Sequence, residues 1–210
     1  MEVNEVLPPT RYALSFTTGA LLAREAAVLA PLRDGLHNWE QVRERAVAEN
    51  LLQARTRATA LRRARETVKR LAVLTDDEVM LVVEAAATER AHVMWAAACR
   101  RYLLIGEFAE EVLRERFLLL APTVTYDDFD SFVRAKSLWH DELAQLKEST
   151  LNKLRSNVFR MLHEAELLSR AGHITPALLS GRVLTALNAR TPSEVRFFPT
   201  RQVEPSEVAQ

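Results

Sequence analysis

Asn38, Thr56, Thr75 and Thr125 each stand directly ahead of a stretch whose apolar residues recur at three- to four-residue spacing. A short oxygen-bearing side chain at such a point accepts a hydrogen bond from the free N–H groups of a new helix. The 3.6-residue period then gathers apolar side chains on one face. Start signals repeated along the chain leave little room for a sheet, and the sequence reads as helical nearly throughout. The spacing predicts helices over 20–32 (after Thr18), 39–49, 79–87, 88–105, 107–120, 126–136, 141–146, 150–166 and 176–187. Thr75-Asp76-Asp77-Glu78 is a capping box with its acids at the positive end of a helix dipole. Asp127 and Asp128 follow Thr125 in the same way, Pro122 stops the helix before it, and Ser149 or Thr150 opens the helix after.

Residues 51–74 pose a register problem. One straight helix would place Arg65 in the apolar stripe of Leu51, Ala54, Ala58, Leu61 and Val68. Restarting with Thr56 as the cap puts Ala60, Ala64, Val68 and Leu71 on the inner face, with Leu61 beside it. Arg62, Arg63, Arg65, Glu66, Lys69 and Arg70 then share the outer face. Two helices joined by a short turn is the better reading. After residue 166 the rhythm changes: Leu167-Leu168, a polar turn around Gly172, then Ile174 has the size of a short β-hairpin. The expected fold is therefore all-α. It is a helical bundle (1–122) with a helix-turn-helix in the N-terminal third, then a winged-helix-like unit with a short hairpin (123–190). A tail (191–210) docks through Phe197-Phe198 and is loose after about residue 201.

Several function classes fall away. Apolar runs around 79–83, 94–99 and 117–121 end after five to six residues, far short of the roughly 20 that a spanning helix needs. The N-terminus carries acids and prolines where a signal peptide needs positive charge, so a soluble, cytoplasmic protein without a membrane is expected. Five glycines form neither GxGxxG nor GxxxxGK[ST], which removes the phosphate-gripping loops. Cys99 stands alone, and His37, His92, His140, His163 and His173 are scattered, so neither a disulfide nor a zinc site is expected. His92 and Cys99 share a helix face but do not make a site. Asp127, Asp128 and Asp130 read as helix-dipole complements rather than metal ligands. Without a nucleophile elbow either, the chain is expected to be no enzyme, with no cofactor and no catalytic residue.

Charge is more informative. The 28 basic and 28 acidic residues cancel, yet residues 1–74 carry 12 Lys/Arg against 8 Asp/Glu, residues 75–130 carry 5 against 12, and residues 131–210 carry 11 against 8. An acidic middle thus lies between two basic ends. Of the basic residues 24 are arginine, the better fork for phosphate and guanine. Residues 53–70 hold Arg55, Arg57, Arg62, Arg63, Arg65, Lys69 and Arg70 against Glu66 alone, a net +6. Read as a helix-turn-helix, Arg55, Arg57, Thr59, Arg62 and Arg63 lead into a groove. A second surface lies on the helix over 150–166. Leu151, Leu154, Val158, Met161, Leu162 and Ala165 face inward at helical spacing, while Asn152, Lys153, Arg155, Ser156, Asn157 and Arg160 lie on the outer arc. Asn and Arg suit base edges; Lys and Ser mostly hold phosphate. Winged units also serve as protein-binding modules.

Phe16-Thr17-Thr18-Gly19-Ala20-Leu21-Leu22, the run from Glu49-Asn50-Leu51-Leu52 to Arg55-Thr56-Arg57, Thr125-Tyr126-Asp127-Asp128-Phe129-Asp130, and the run from Phe159-Arg160-Met161-Leu162 to Leu167-Leu168 resemble the BrxA family of BREX phage-defence systems. The resemblance spans about residues 12–198. It implies an all-helical, NusB-like protein working beside a methyltransferase, an ATPase and a phosphatase-like protein. The family's old inner-membrane label finds no spanning segment here, and no catalytic residues carry over. The combined expectation is a non-catalytic, double-stranded-DNA-binding accessory subunit. Nucleic-acid contacts are assigned to Arg55, Arg57, Arg62, Arg63, Lys69, Arg70, Asn152, Lys153, Arg155, Ser156 and Arg160. Its rivals are an RNA-binding, antitermination-like protein and a scaffold that docks BREX components without nucleic acid. The lone cysteine and the absence of a heptad seam point to a monomer in isolation.

Overall fold

The computed structural model describes residues 11–16, 20–35 and 38–201; the helix start expected at Thr18, His37 and the tail beyond Arg201 lie outside them. Helix α1 (Ala23–Leu29) runs into a 3-10 turn, Ala30–Arg33, that carries Pro31. Asn38 Oδ1 accepts the Gln41 N–H at 2.9 Å and opens α2 (Trp39–Ala48). Thr56 Oγ1 accepts the Thr59 N–H at 3.2 Å and opens α3 (Arg57–Leu71), so the chain does restart between residues 49 and 57. Helix α4 (Asp76–Glu84) begins with the reciprocal Thr75–Glu78 box. There follow α5 (Ala87–Arg101), α6 (Leu103–Phe108), a π-helical stretch Ala109–Arg114, and α7 (Glu115–Leu118). Thr125 and Asp128 form a second reciprocal box ahead of α8 (Tyr126–Lys136). The order closes with α9 (Asp141–Ala144), α10 (Glu148–Glu164), α11 (Gly181–Asn188) and a 3-10 turn, Glu194–Phe197. The architecture is all-helical, and no β-strand occurs among the described residues.

The structure departs from the periodic reading at four points, one of them α10, which starts at Glu148 behind Lys147 with no side-chain cap where Ser149 or Thr150 is expected to open it. The break expected at Gly106 comes instead at Tyr102, whose extended backbone (φ −127°, ψ 94°) separates α5 from α6. Gly106 sits inside α6, where a Cβ would meet the Cys99 carbonyl oxygen at 3.1 Å and the Phe197 ring at 3.3 Å. The helix expected from Pro176 starts only at Gly181, where Ser180 Oγ accepts the Val183 N–H at 3.4 Å. The turn expected as a hairpin holds two isolated antiparallel bridges, Leu168 to Ile174 and Thr123 to His173. Gly172 (φ 80°) makes this turn, and its carbonyl accepts the Val124 N–H at 3.0 Å. The short segment before α8 thus takes up part of the pairing that a longer hairpin would use on itself.

Helix α5 is the axis of the core. Every residue from Ala91 to Cys99 is buried, the pattern of a helix covered all round. Burial pushes the Cys99 thiol well above its ordinary pKa, so it stays protonated and inert. Trp95 Nε1 donates to the Phe197 carbonyl at 2.9 Å, and both Phe197 and Phe198 are buried. At the far end of α5, Arg100 joins three parts of the chain. Its Nη1 donates to Glu78 Oε2 at 2.7 Å and its Nε to Glu194 Oε2 at 2.7 Å, all three side chains being buried. Glu78 therefore both caps α4 and anchors α5.

Removing one member of a buried ion cluster leaves uncompensated charge, which costs about 3–5 kcal/mol. Arg100→Met, which leaves Glu78 with Arg190 alone and takes from Glu194 its buried cation, is expected to lower stability by about that amount in urea titration. Burial pushes the Glu78 carboxyl up, but the hydrogen bonds from Arg100 and the Thr75 N–H outweigh it and hold the group below its ordinary 4.5. A depressed carboxyl stabilises fully above the unfolded-state pKa and loses that contribution as pH falls through the folded one. Stability of the wild type is therefore expected to decline as pH drops below 4.5, and the decline is expected to be shallower in Glu78→Gln, as thermal denaturation across that range would show.

Candidate functional site

The turn between α2 and α3 is built by Asn50 and Gln53, both in the left-handed region (φ 47° and 48°). The Asn50 side chain accepts the Ala54 N–H at 2.9 Å and donates to the Ala54 carbonyl at 3.1 Å, pinning the turn from both sides. Arg55 and Arg57 project from this fixed base and are exposed, as are Arg62, Arg63 and Arg65 along α3, while Lys69 is half-buried.

Arg70 corrects the sequence reading. It was placed on the outer face, yet its side chain is 0% exposed. Its Nη1 donates to the carbonyls of Ala20 and Leu21 at 2.7 and 2.8 Å, and its Nη2 lies 3.3 Å from Glu66 Oε1. Tyr102 donates its hydroxyl to the same Glu66 oxygen at 2.6 Å. Burial pushes the Tyr102 hydroxyl up to about 12, with the Glu66 hydrogen bond adding to it, so it remains a donor. Arg70 is thus withdrawn as a nucleic-acid contact. The buried arc of α3 includes Ala60, Ala64, Glu66, Thr67, Arg70 and Leu71, whereas Leu61, expected beside it, is 48% exposed. The cause is the chain at 20–21, whose backbone carbonyls need buried donors that the long Arg70 fork supplies.

On α10 the inner positions Leu154, Val158, Met161, Leu162 and Ala165 are buried and Leu151 is half-buried. Asn152, Lys153, Ser156 and Arg160 are exposed. Arg155 is less free: it pairs with the Asp130 carboxylate, lies over the Tyr126 ring at 4.7 Å and donates to Asn152 Oδ1 at 2.9 Å. Ser156 donates to the Asn152 carbonyl at 2.7 Å, and Asn157 to the Phe16 carbonyl at 3.0 Å.

The two basic surfaces, separate in sequence, meet. Arg62 and Arg63 of α3 and Lys153 and Arg160 of α10 line one cleft of about 920 Å³, floored by the first turn of α1 and the start of α5. Arg55, Arg57, Lys69, Asn152, Arg155 and Ser156 lie outside its lining. Two further cations in it, Arg24 and Arg90, belong to no basic run, and the sequence reading missed them. Arg90 is committed to structure, donating to the Val82 and Ala85 carbonyls at 2.7 and 2.6 Å where α4 ends. Arg24 is exposed. Among the lining acids, Glu164 pairs with Arg160 at 3.1 Å and accepts the Leu21 N–H at 2.8 Å. Glu25 stands 3.9 Å from Arg63. Leu22, at the cleft wall, takes a left-handed backbone (φ 62°), held by Arg70 on the preceding carbonyls and by Glu164 on the preceding N–H.

The profile of the BrxA family matches residues 10–191. The BREX protein BrxA of Paramagnetospirillum magneticum (strain AMB-1) is 25% identical over 179 residues, which is 84% of this chain and 90% of that protein. BREX protein BrxA of Escherichia coli O9:H4 (strain HS) is 26% identical over 147 residues, 70% of this chain and 69% of that one. The Bacillus cereus (strain H3081.97) protein of the same description is 26% identical over 137 residues, 65% and 68% of the two chains. A crystal structure of an uncharacterized protein from Magnetospirillum magneticum shares the fold, with a TM-score of 0.75 and 23% identity over 90% of this chain and 98% of that one.

The contrast between Arg70 and its neighbours is measurable. Arg70→Met leaves Glu66 and two carbonyls without their partner and is expected to cost about 3–5 kcal/mol in urea denaturation. Arg62→Ala, eight residues earlier on the same helix, is expected to stay within about 0.5 kcal/mol of wild type.

Proposed function

The chain belongs to the BrxA family, and with that as the premise we propose that this component of a BREX phage-defence system is a non-catalytic, double-stranded-DNA-binding accessory subunit. The observation that carries the reading is the convergence of Arg62, Arg63, Lys153 and Arg160 on one face from two helices far apart in sequence. Backbone phosphates dominate the affinity of such surfaces, each neutralised phosphate releasing condensed counterion. In this reading the duplex lies across the cleft mouth. Helices α2 and α3 act as a helix-turn-helix, with Arg55 and Arg57 at the leading end of α3. The segment from α8 through α10 to the bridged turn at Gly172 acts as the winged unit. Contacts of this kind position rather than specify, so sequence choice falls to the methyltransferase partner that the family resemblance implies.

Protein docking is the second reading, and one observation favours it. Leu138 and Trp139, on the turn between α8 and α9, are 77% and 78% exposed. Large apolar side chains so placed suit a partner surface.

Fluorescence anisotropy with a labelled duplex of about 30 base pairs, titrated at several salt concentrations, is expected to give a log–log slope of about −4 to −6. Arg62→Glu with Arg63→Glu is expected to weaken binding at every sequence while circular dichroism stays unchanged. Equal affinity in that variant would remove the cleft from the reading. Displacement of duplex by short single-stranded RNA at lower concentration than by unlabelled duplex would favour the RNA-binding alternative.

A further inference from the structure

The cleft has a second property that a duplex does not use. Its volume of about 920 Å³ lies within the roughly 300–1,000 Å³ of small-molecule sites, and a duplex resting on its mouth would leave its depth unfilled. Ala20, Ala23, Ala87 and Ala91 form part of its walls, and side chains this small keep the space open. The wall at residues 20–22 is fixed by Arg70 and Glu164, so a ligand meets a preorganised surface.

Its charge selects the ligand. Arg24, Arg62, Arg63, Lys153 and Arg160 line it together with the structurally committed Arg90, against the carboxylates of Glu25, Glu164 and Glu166. That is six cations to three acids, an excess of +3 in one concavity. The described structure gives Arg24, Arg62 and Lys153 no carboxylate partner. Arg63 is held only loosely, 3.9 Å from Glu25. Among the described residues no aromatic side chain lines the cleft, so they offer none of the stacking platform with which proteins hold bases. Arginine forks and a lysine point charge without a base platform suit phosphate oxygens.

We infer that the cleft binds a chain of linked phosphates, as inorganic tripolyphosphate or the triphosphate of a nucleotide presents it, and that this anion competes with DNA for the same cations. Binding of the anion stands on the cleft alone; only the competition rests on the DNA-binding reading. Since no group recognises the base, the free and the nucleoside-linked triphosphate bind about equally.

Isothermal titration calorimetry of the full chain with tripolyphosphate, ATP and adenosine, at constant low ionic strength, tests this. The expected result is saturable binding of both triphosphates with similar Kd and none of adenosine. In the Arg62→Glu, Lys153→Glu double variant both affinities fall by at least about tenfold with unchanged circular dichroism, and tripolyphosphate displaces labelled duplex from the wild type. The inference is overturned by the absence of saturable triphosphate binding, by undiminished affinity in the double variant, or by binding of adenosine. Duplex binding without triphosphate binding sinks this inference and spares the DNA reading. Triphosphate binding without duplex binding does the reverse.

Discussion

The guanidinium of Arg70 holds together the part of the molecule that shapes the cationic cleft. It lies wholly inside the protein, and its two short hydrogen bonds end on the Ala20 and Leu21 carbonyls. Burial disfavours its charged form, lowering its pKa from the ordinary arginine value, while Glu66 opposes that effect. Burying so large a cation is costly unless each donor finds a partner. Glu66 supplies the countercharge, Tyr102 satisfies Glu66, and the backbone at 20–21 takes the rest. From this arrangement follow the left-handed residue at Leu22, the direction of α1, and one wall of the cationic cleft.

The charge distribution takes on meaning in three dimensions. The acidic middle of the chain is largely spent on arginines and lysines inside it and beyond it: Glu78 on Arg100 and Arg190, Glu84 on Arg182, Glu107 and Glu111 on Lys136, Glu110 on Arg196, Asp128 on Arg116 and Asp130 on Arg155. Because these acids find partners within the acidic middle or beyond it, they do not neutralise the basic face of α3. A chain with no net charge thereby keeps a locally positive concavity.

Four helix starts were legible from the sequence because capping is local chemistry: Asn38, Thr56, Thr75 and Thr125 each act on an N–H three residues away. The restart at Thr56 was legible for the same reason, since a continuous helix would have buried Arg65. Tyr102 carries no comparable local signal; it is buried, and its hydroxyl donates to Glu66, 36 residues away in the chain. The inward turn of Glu66 and Arg70 was hidden because periodicity assigns charged residues to the outside. Only a backbone from 50 residues earlier makes the inside favourable. Both basic runs were visible as composition, but their meeting was not, nor was the part played by the isolated Arg24.

The hydrogen bond from the Leu21 N–H to Glu164 joins residues 143 positions apart. Contacts of such long range are made late in folding, since the loop they close carries a large entropic penalty that nearer contacts do not. During synthesis α3, with its row of arginines, leaves the ribosome long before α10 is made. The concave surface therefore does not exist in a growing chain, and an emerging protein has basic helices but no cleft. The defined geometry of that cationic cleft arrives all at once, with the closure of the fold.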